Sequence, residues 1–204
     1  MRETLITVAI EKFGQKGFEG VGTREIAAAA DTAMSSIRYH FGGKEGLYEA
    51  AASYILSRAH RLIAGDEQRL PRPDLPRPEQ VDCLIDFLLR AARMMLRKES
   101  AGFALFMARL QQSPSPENMA MLRRNMMPMM DGYLAQVRLL KPGLSEQDVR
   151  ATAFFLFSMT VSLRHSRAAL GILLDRDEPS DDDAALLLGR LEAIARAILA
   201  EEDK

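Results

Sequence analysis

Residues 23–44, TREIAAAADTAMSSIRYHFGGK, read as two short helices joined by a tight turn. Thr23 ahead of Arg24, Glu25 and Ile26 is a helix start, because its hydroxyl can accept from the unpaired amides of a first turn. Ala27 to Ala30 are small enough for another helix to lie close. Asp31-Thr32-Ala33 interrupts that run, since Asp and Thr bond to nearby backbone and favour turns over helix interiors. The second helix restarts near Met34. Ile37 and Phe41, four apart, keep one face in the core, while Ser35, Ser36, Arg38, Tyr39 and His40 are carried outward. The spacing predicts a helix-turn-helix whose second helix offers short polar groups, a guanidinium and an aromatic ring to a DNA major groove. Gly42-Gly43 stops it and Lys44-Glu45 opens the next helix.

The rest of the chain carries helical periodicity and no strand alternation. Leu5, Ile6, Ala9, Ile10 and Phe13 predict a first helix over residues 3–16, followed by a turn at 19–22. Leu47, Tyr48, Ala51, Tyr54, Ile55 and Ala59 predict a longer one over 44–64. GDEQRLPRPDLPRPEQ at 65–80 holds four of the nine prolines and reads as an extended, semi-rigid linker. Beyond it, apolar spacing predicts helices over 79–97, 100–112 and 117–140, with Pro116 suited to a first helical turn. Pro128 predicts a kink or split near 125–127. Ser145 with Asp148 is a capping-box-like start for a helix running to about Leu170, where Gly171 marks the end. A last helix, 182–200, is apolar over more of its girth than one core face requires. That predicts burial on two sides, one of them against a second copy of the chain.

Composition narrows the class. A chain of 204 residues with 48% apolar and 27% charged side chains can bury a sizeable core. The longest apolar runs, 151–163 and 184–188, are too short to span a membrane, and the N-terminal residues scatter charges without a cleavage signal. No membrane partner and a cytoplasmic location are therefore expected. One cysteine, Cys83, cannot form an internal disulfide and reads as a small apolar helix residue. Net charge is −1, and residues 1–61 hold eight Lys/Arg against seven Asp/Glu. DNA affinity must then come from a few placed cations, helix N-termini and dimerisation rather than from a general basic field. His40, His60 and His165 lie far apart, and there is no phosphate loop, HExxH or calcium-loop pattern, so neither catalysis, a metal nor a cofactor is expected.

TREIA, the turn, IRYHF, Gly42-Gly43-Lys44 and the Leu47-Tyr48 that follows closely resemble the DNA-binding domain of TetR-type transcriptional regulators, over about the first sixty residues. SSIRYHFGGKEGLY, with SPSPE after a Phe-rich helix, is similar to the CecR-like branch, whose members are linked to drug and antibiotic tolerance. The resemblance implies an all-α fold: an N-terminal three-helix helix-turn-helix domain and a C-terminal helical domain for ligand binding and dimerisation. In this chain that places the head at residues 1–64 with a connector helix at 44–64, a linker at 65–78 and the effector domain at 79–204. It implies a homodimer on a palindromic double-stranded DNA operator, acting most simply as a repressor released by a small apolar or drug-like molecule. Where the family commonly opens its Tyr-X-His-Phe with Tyr, this chain has Arg38, which can supply an extra base or phosphate contact.

For DNA the candidates are Thr23, Arg24, Met34, Ser35, Ser36, Arg38, Tyr39, His40 and Lys44. Ser35, Ser36 and Arg38 can bond bases or phosphates, and Met34 can touch a thymine methyl. The resemblance implies backbone contacts for Thr23, Tyr39, His40 and Lys44. Phe103, Phe106, Met107, Met126, Met130, Tyr133, Phe154 and Phe157 read either as plain core or as an effector pocket. In the second case Arg109, Arg164 and His165 would hold a polar end. Phe155, Met159, Leu163, Leu187, Leu191, Ile194 and Ile198 are the expected dimer interface. Two other readings stay open, a helical dimeric adaptor and a ligand-binding protein, each with a vestigial DNA-binding head.

Overall fold

A computed structural model describes residues 1–64, 70–112 and 115–201. Among them are ten helices: α1 (Arg2–Lys16), α2 (Thr23–Ala29), α3 (Met34–Phe41), α4 (Lys44–Ala64), α5 (Arg77–Leu96), α6 (Ser100–Gln112), α7 (Pro116–Leu140), α8 (Glu146–His165), α9 (Arg167–Leu174) and α10 (Asp181–Ala200). The fold is all-α, and none of these helices is long and apolar enough to cross a membrane.

By packing, the chain forms two compact units, Met1–Arg58 with Lys98–Met126, and Ala59–Arg97 with Met127–Lys204. This division differs from one made by chain order at residues 65–78. The reason lies in α6, which follows the proline segment in sequence yet buries Phe106, Met107 and Leu110 in the same core as Leu5, Phe13, Ile26, Ile37 and Leu47. Arg109 locks the pair: its Nε donates to the Gly14 carbonyl at 2.7 Å and its Nη2 to that of Gln15 at 2.9 Å, at the carbonyl-rich end of α1. In the first unit α1 therefore leans on α6 as well as on α2. α7 runs without a break through Pro128, and the unit boundary falls at Met126–Met127, where the sequence predicts a kink.

In the second unit α8 and α10 pack against α5. Phe87, Tyr133 and Phe157 form a ring cluster, Phe87 and Tyr133 being 5.1 Å apart and stacked, and the Tyr133 hydroxyl donates to the Ala153 carbonyl at 2.9 Å. Burial pushes the Tyr133 phenol far up, so it stays a neutral donor. Arg77 donates to the Leu140 and Leu199 carbonyls, closing the C-terminal ends of α7 and α10 with a cation as the helix dipoles favour.

Of the predicted linker, residues 65–69 lie outside the described residues. From Leu70 on the segment is tied down. The fully buried Gln136 accepts from the Arg72 amide at 2.7 Å and donates to the Gln80 carbonyl at 3.0 Å, and Gln80 donates to the Leu75 carbonyl. Gly132 makes room for it, since a Cβ there would lie 2.5 Å from the Leu70 carbonyl oxygen. Gly132→Ala is expected to cost about 1–3 kcal/mol through overpacking. Faster hydrogen exchange at Arg72 would accompany a lower melting temperature; an unchanged melting temperature would contradict the close approach.

Three predicted ends move. Thr23 is the first residue of α2 rather than its cap; Gly22 holds the cap position and no side chain bonds there. The helix predicted to reach Leu170 pauses at Ser166 (φ −101°, ψ 29°) and resumes as α9. Arg164, on the last turn of α8, is held by the Met95 and Arg97 carbonyls at the end of α5. Gly171 sits inside α9, where a Cβ would meet the Arg176 carbonyl at 2.7 Å, and the helix ends instead at Asp175 in a left-handed conformation. Ser145 does cap α8, accepting from the Asp148 amide at 3.2 Å. α10 begins with a full capping box between Ser180 and Asp183, so the helix starts at Asp181, one residue upstream of the predicted start. The hydrogen bonds it accepts from the Ser180 hydroxyl and amide hold the Asp183 carboxyl below its usual range.

Candidate nucleic-acid interface

The recognition unit is built by α2, the turn and α3. Asp31 supplies the reversal with φ 49°, a left-handed conformation that Asp tolerates, and the Thr32 amide donates back to the Ala27 carbonyl at 3.0 Å. Gly42 ends α3 at φ 78°, where a side chain would be strained. Within the eight residues of α3, Ile37 is 1% exposed and anchors the helix to the core. Met34, Ser35, Arg38 and Tyr39 then share the opposite face, as spacings of one, four and five require. All four are exposed, Tyr39 by 85% and Met34 by 51%.

The other candidates divide. Ser36 is half-buried and its hydroxyl lies 3.1 Å from that of Thr32, so it closes the turn. His40 is half-buried between Tyr39 and Phe41, with ring centroids 4.9 and 6.1 Å away. Thr23 is half-buried at the start of α2 beside the exposed Arg24. Lys44 opens α4, and its ammonium stands 4.4 Å from the centre of the Phe18 ring. Arg2 lies over Phe41, with its guanidinium carbon 5.4 Å from the ring centre, a neighbour that the spacing of the N-terminal residues does not reveal.

The charge arrangement answers the near-neutral composition of the head. Glu25 accepts from Lys16 at 2.7 Å and pairs with Lys12 at 3.5 Å, which holds its carboxyl below the ordinary range. Glu3 accepts from the Tyr54 hydroxyl, and Glu49 pairs with Arg124. Arg24, Arg38 and Lys44, by contrast, form no ion pair among the described residues. These cations, at the starts of α2 and α4 and on the outer face of α3, remain available to an anion.

The predicted effector residues fall into two groups. Phe106 and Met107 are core of the first unit, with Phe103 and Met126 packed against it. Arg109 spends its donors on α1, as described, while lining an open groove of about 1020 Å³ with Lys16, Phe18, Tyr48, Glu49, Met121 and Arg124. Tyr133 and Phe157 belong to the ring cluster of the second unit; Met130 is half-buried, Phe154 is exposed, and Arg164 is held by α5 carbonyls. His165 is exposed, its Nδ1 3.2 Å from the Val161 carbonyl. Among the expected interface residues Phe155 and Ile194 are exposed, Met159, Leu187 and Ile198 half-buried, and Leu163 and Leu191 buried. Phe154 and Phe155 are 66% and 65% exposed, with rings 5.5 Å apart.

A three-helix head with an exposed polar face on its third helix, joined to a second helical unit, defines a helix-turn-helix regulator. Residues 5–51 match the model of the bacterial regulatory proteins of the tetR family, and residues 82–201 match the C-terminal domain of the HTH-type transcriptional dual regulator CecR. The chain belongs to the TetR family of transcriptional regulators, in its CecR-like branch. CecR of Shigella flexneri is 33% identical over 124 residues, 56% of this chain and 52% of CecR. RaaS of Mycobacterium tuberculosis is 49% identical over 47 residues, 23% of this chain and 22% of RaaS. The chain thus spans about half the length of CecR and less of RaaS in these matches. A transcriptional regulator from Rhodococcus sp. Rha1 shares the fold with a TM-score of 0.69 at 17% identity, covering 100% of this chain and 98% of its own. The family and these relatives are regulators of transcription rather than enzymes.

Proposed function

We propose that the protein binds a palindromic double-stranded DNA operator as a homodimer, one α3 per half-site, and that a small apolar or drug-like molecule releases it. The observation that carries this reading is the outward face of α3, where Met34, Ser35, Arg38 and Tyr39 stand free while Ile37 is fully buried. Ser35 and Arg38 offer donors to base edges, Met34 an apolar contact, and Tyr39, Lys44 and Arg24 reach for phosphates. Occupying a promoter in this way excludes polymerase, so repression is its direct consequence. CecR itself is named a dual regulator. A cytoplasmic location follows from the target.

Dimerisation is supported by the second unit, where α8 and α10 leave Phe155, Leu186 and Ile194 uncovered. A surface of this kind is what a second copy would cover. The double substitution Phe155→Glu with Ile194→Glu is expected to yield a folded monomer by sedimentation and to abolish tight operator binding, because both sites are exposed and each half-site alone binds weakly. An unchanged dimer would place the interface elsewhere.

The near-neutral head favours one rival, an adaptor that no longer binds DNA. A gel shift with the chain's own upstream region, titrated with salt, separates the two. Phosphate contacts predict a linear fall of log affinity with log salt; an adaptor shows no shift at any ionic strength.

A further inference from the structure

We propose that Phe18 is a positioning residue for DNA binding, its ring holding the Lys44 ammonium where it meets a backbone phosphate. The proposal rests on reading residues 23–44 as a duplex interface. A lysine on a flexible four-carbon stem is a poor fixed contact unless something orders it. Among the described residues Lys44 makes no ion pair or hydrogen bond that would do so. What stands beside it is an aromatic face, with Nζ 4.4 Å from the Phe18 ring centroid, inside the range of a cation–π interaction.

The ring is itself fixed. Phe18 lies in the turn between α1 and α2, outside both helices, yet it is half-buried. The fully buried Phe13 stacks on it at 5.9 Å and 25°, and Tyr48 meets it edge-on at 5.1 Å and 71°. Tyr48 rests in turn on Phe106 at 4.9 Å. Two buried or half-buried rings, both backed by Phe106, therefore set the plane of Phe18, and that plane sets the place of one ammonium group. The ring neutralises none of the lysine's charge, so the cation stays available to phosphate while its stem loses freedom before the duplex arrives. The entropy of ordering is then not charged to binding.

The test uses the full chain and a random-sequence duplex, because phosphate contacts do not depend on sequence. Lys44→Ala is expected to weaken binding and to lower the slope of log affinity against log salt by about one. Phe18→Leu should weaken binding about two- to fivefold, the range of a cation–π contact, and lower the same slope, while Phe18→Tyr restores both. Placing phenylalanines with one, two and three ring fluorines at position 18 drains the face of the ring with little change of volume. Affinity should fall stepwise along that series, an effect that a merely structural role for the ring would not produce. The fluorinated series decides the matter if Phe18→Leu unfolds at the assay temperature. A flat series, or a Phe18→Leu variant with wild-type affinity and slope beside a weakened Lys44→Ala, overturns the role of Phe18 and leaves the DNA reading standing. Lys44→Ala with an unchanged slope also overturns it, and a wild-type chain without duplex affinity at low salt overturns both readings.

Discussion

Replacing Phe106 with alanine should destabilise the helix-turn-helix unit by about 3–5 kcal/mol, the cost of removing a fully buried aromatic ring and leaving its cavity. Phe106 is 1% exposed and sits 4.9 Å from Tyr48 and 6.4 Å from Phe13, in one core with Ile26 and Ile37 of the recognition unit. By chain order it belongs to the effector region, thirty or more residues past the last helix of the head. The packing makes it part of the reading head. Chemical denaturation of the full chain, followed by hydrogen exchange at the amides of α2 and α3, should show those amides losing protection with the mutation. A loss below about 1 kcal/mol with α2 and α3 still protected would mean that α6 does not complete this core.

The double variant Arg38→Ala with Lys44→Ala should leave the fold intact and cost at least about a hundredfold in operator affinity. A guanidinium reading a base edge accounts for about 1–3 kcal/mol of discrimination, and loss of a phosphate contact weakens binding to all sequences and lowers the salt slope by about one. Arg38 is exposed and neither cation is ion-paired among the described residues, so their removal leaves no buried partner unsatisfied. Fluorescence anisotropy against the operator and against a scrambled duplex should separate the two parts. Arg38→Ala alone narrows the gap between the duplexes, and Lys44→Ala alone lowers both. Full affinity in the double variant would remove α3 and the start of α4 from the interface.

How far the sequence shows this fold depends on the range of the forces involved. Ile37 with Phe41, the Asp31-Thr32 interruption and Gly42 are local devices, and the structure has the turn, the buried isoleucine and the helix stop at Gly42 where they predict them. The Ser145–Asp148 cap is equally local. Thr23 misled because its hydroxyl makes it a good cap in isolation, whereas the chain enters α2 one residue earlier, in an extended conformation at Gly22. Gly171 misled because a glycine that permits close approach looks the same in sequence as one that ends a helix; the Arg176 carbonyl it admits arrives from a return of the chain.

The grouping of the effector candidates shows the limit more sharply. Phe103, Phe106 and Met107 have the same helical spacing whether they line a cavity or fill a core, and only the partners tell the two apart: the rings against Phe106 are Phe13 and Tyr48, both remote from α6 in the chain. Arg109 could be read as a ligand's counter-charge because a guanidinium looks unsatisfied in a sequence. In the fold its donors meet the carbonyls that α1 leaves open at its end. Likewise the charge of the head, read as a sum, argues against DNA, while the pairing of Glu25 and Glu49 with cations off the α3 face leaves Arg24, Arg38 and Lys44 uncompensated.

On the proposed function, the exposed face of α3 reads duplex DNA in twofold-related pairs. Selection of bound fragments from a random duplex library by the full chain tests it most directly. An inverted repeat with half-site centres one helical turn apart, roughly 34–36 Å, or a multiple of that distance, is the predicted result. Recovery of no enriched sequence at low ionic strength, or of a single unrepeated site, would contradict it.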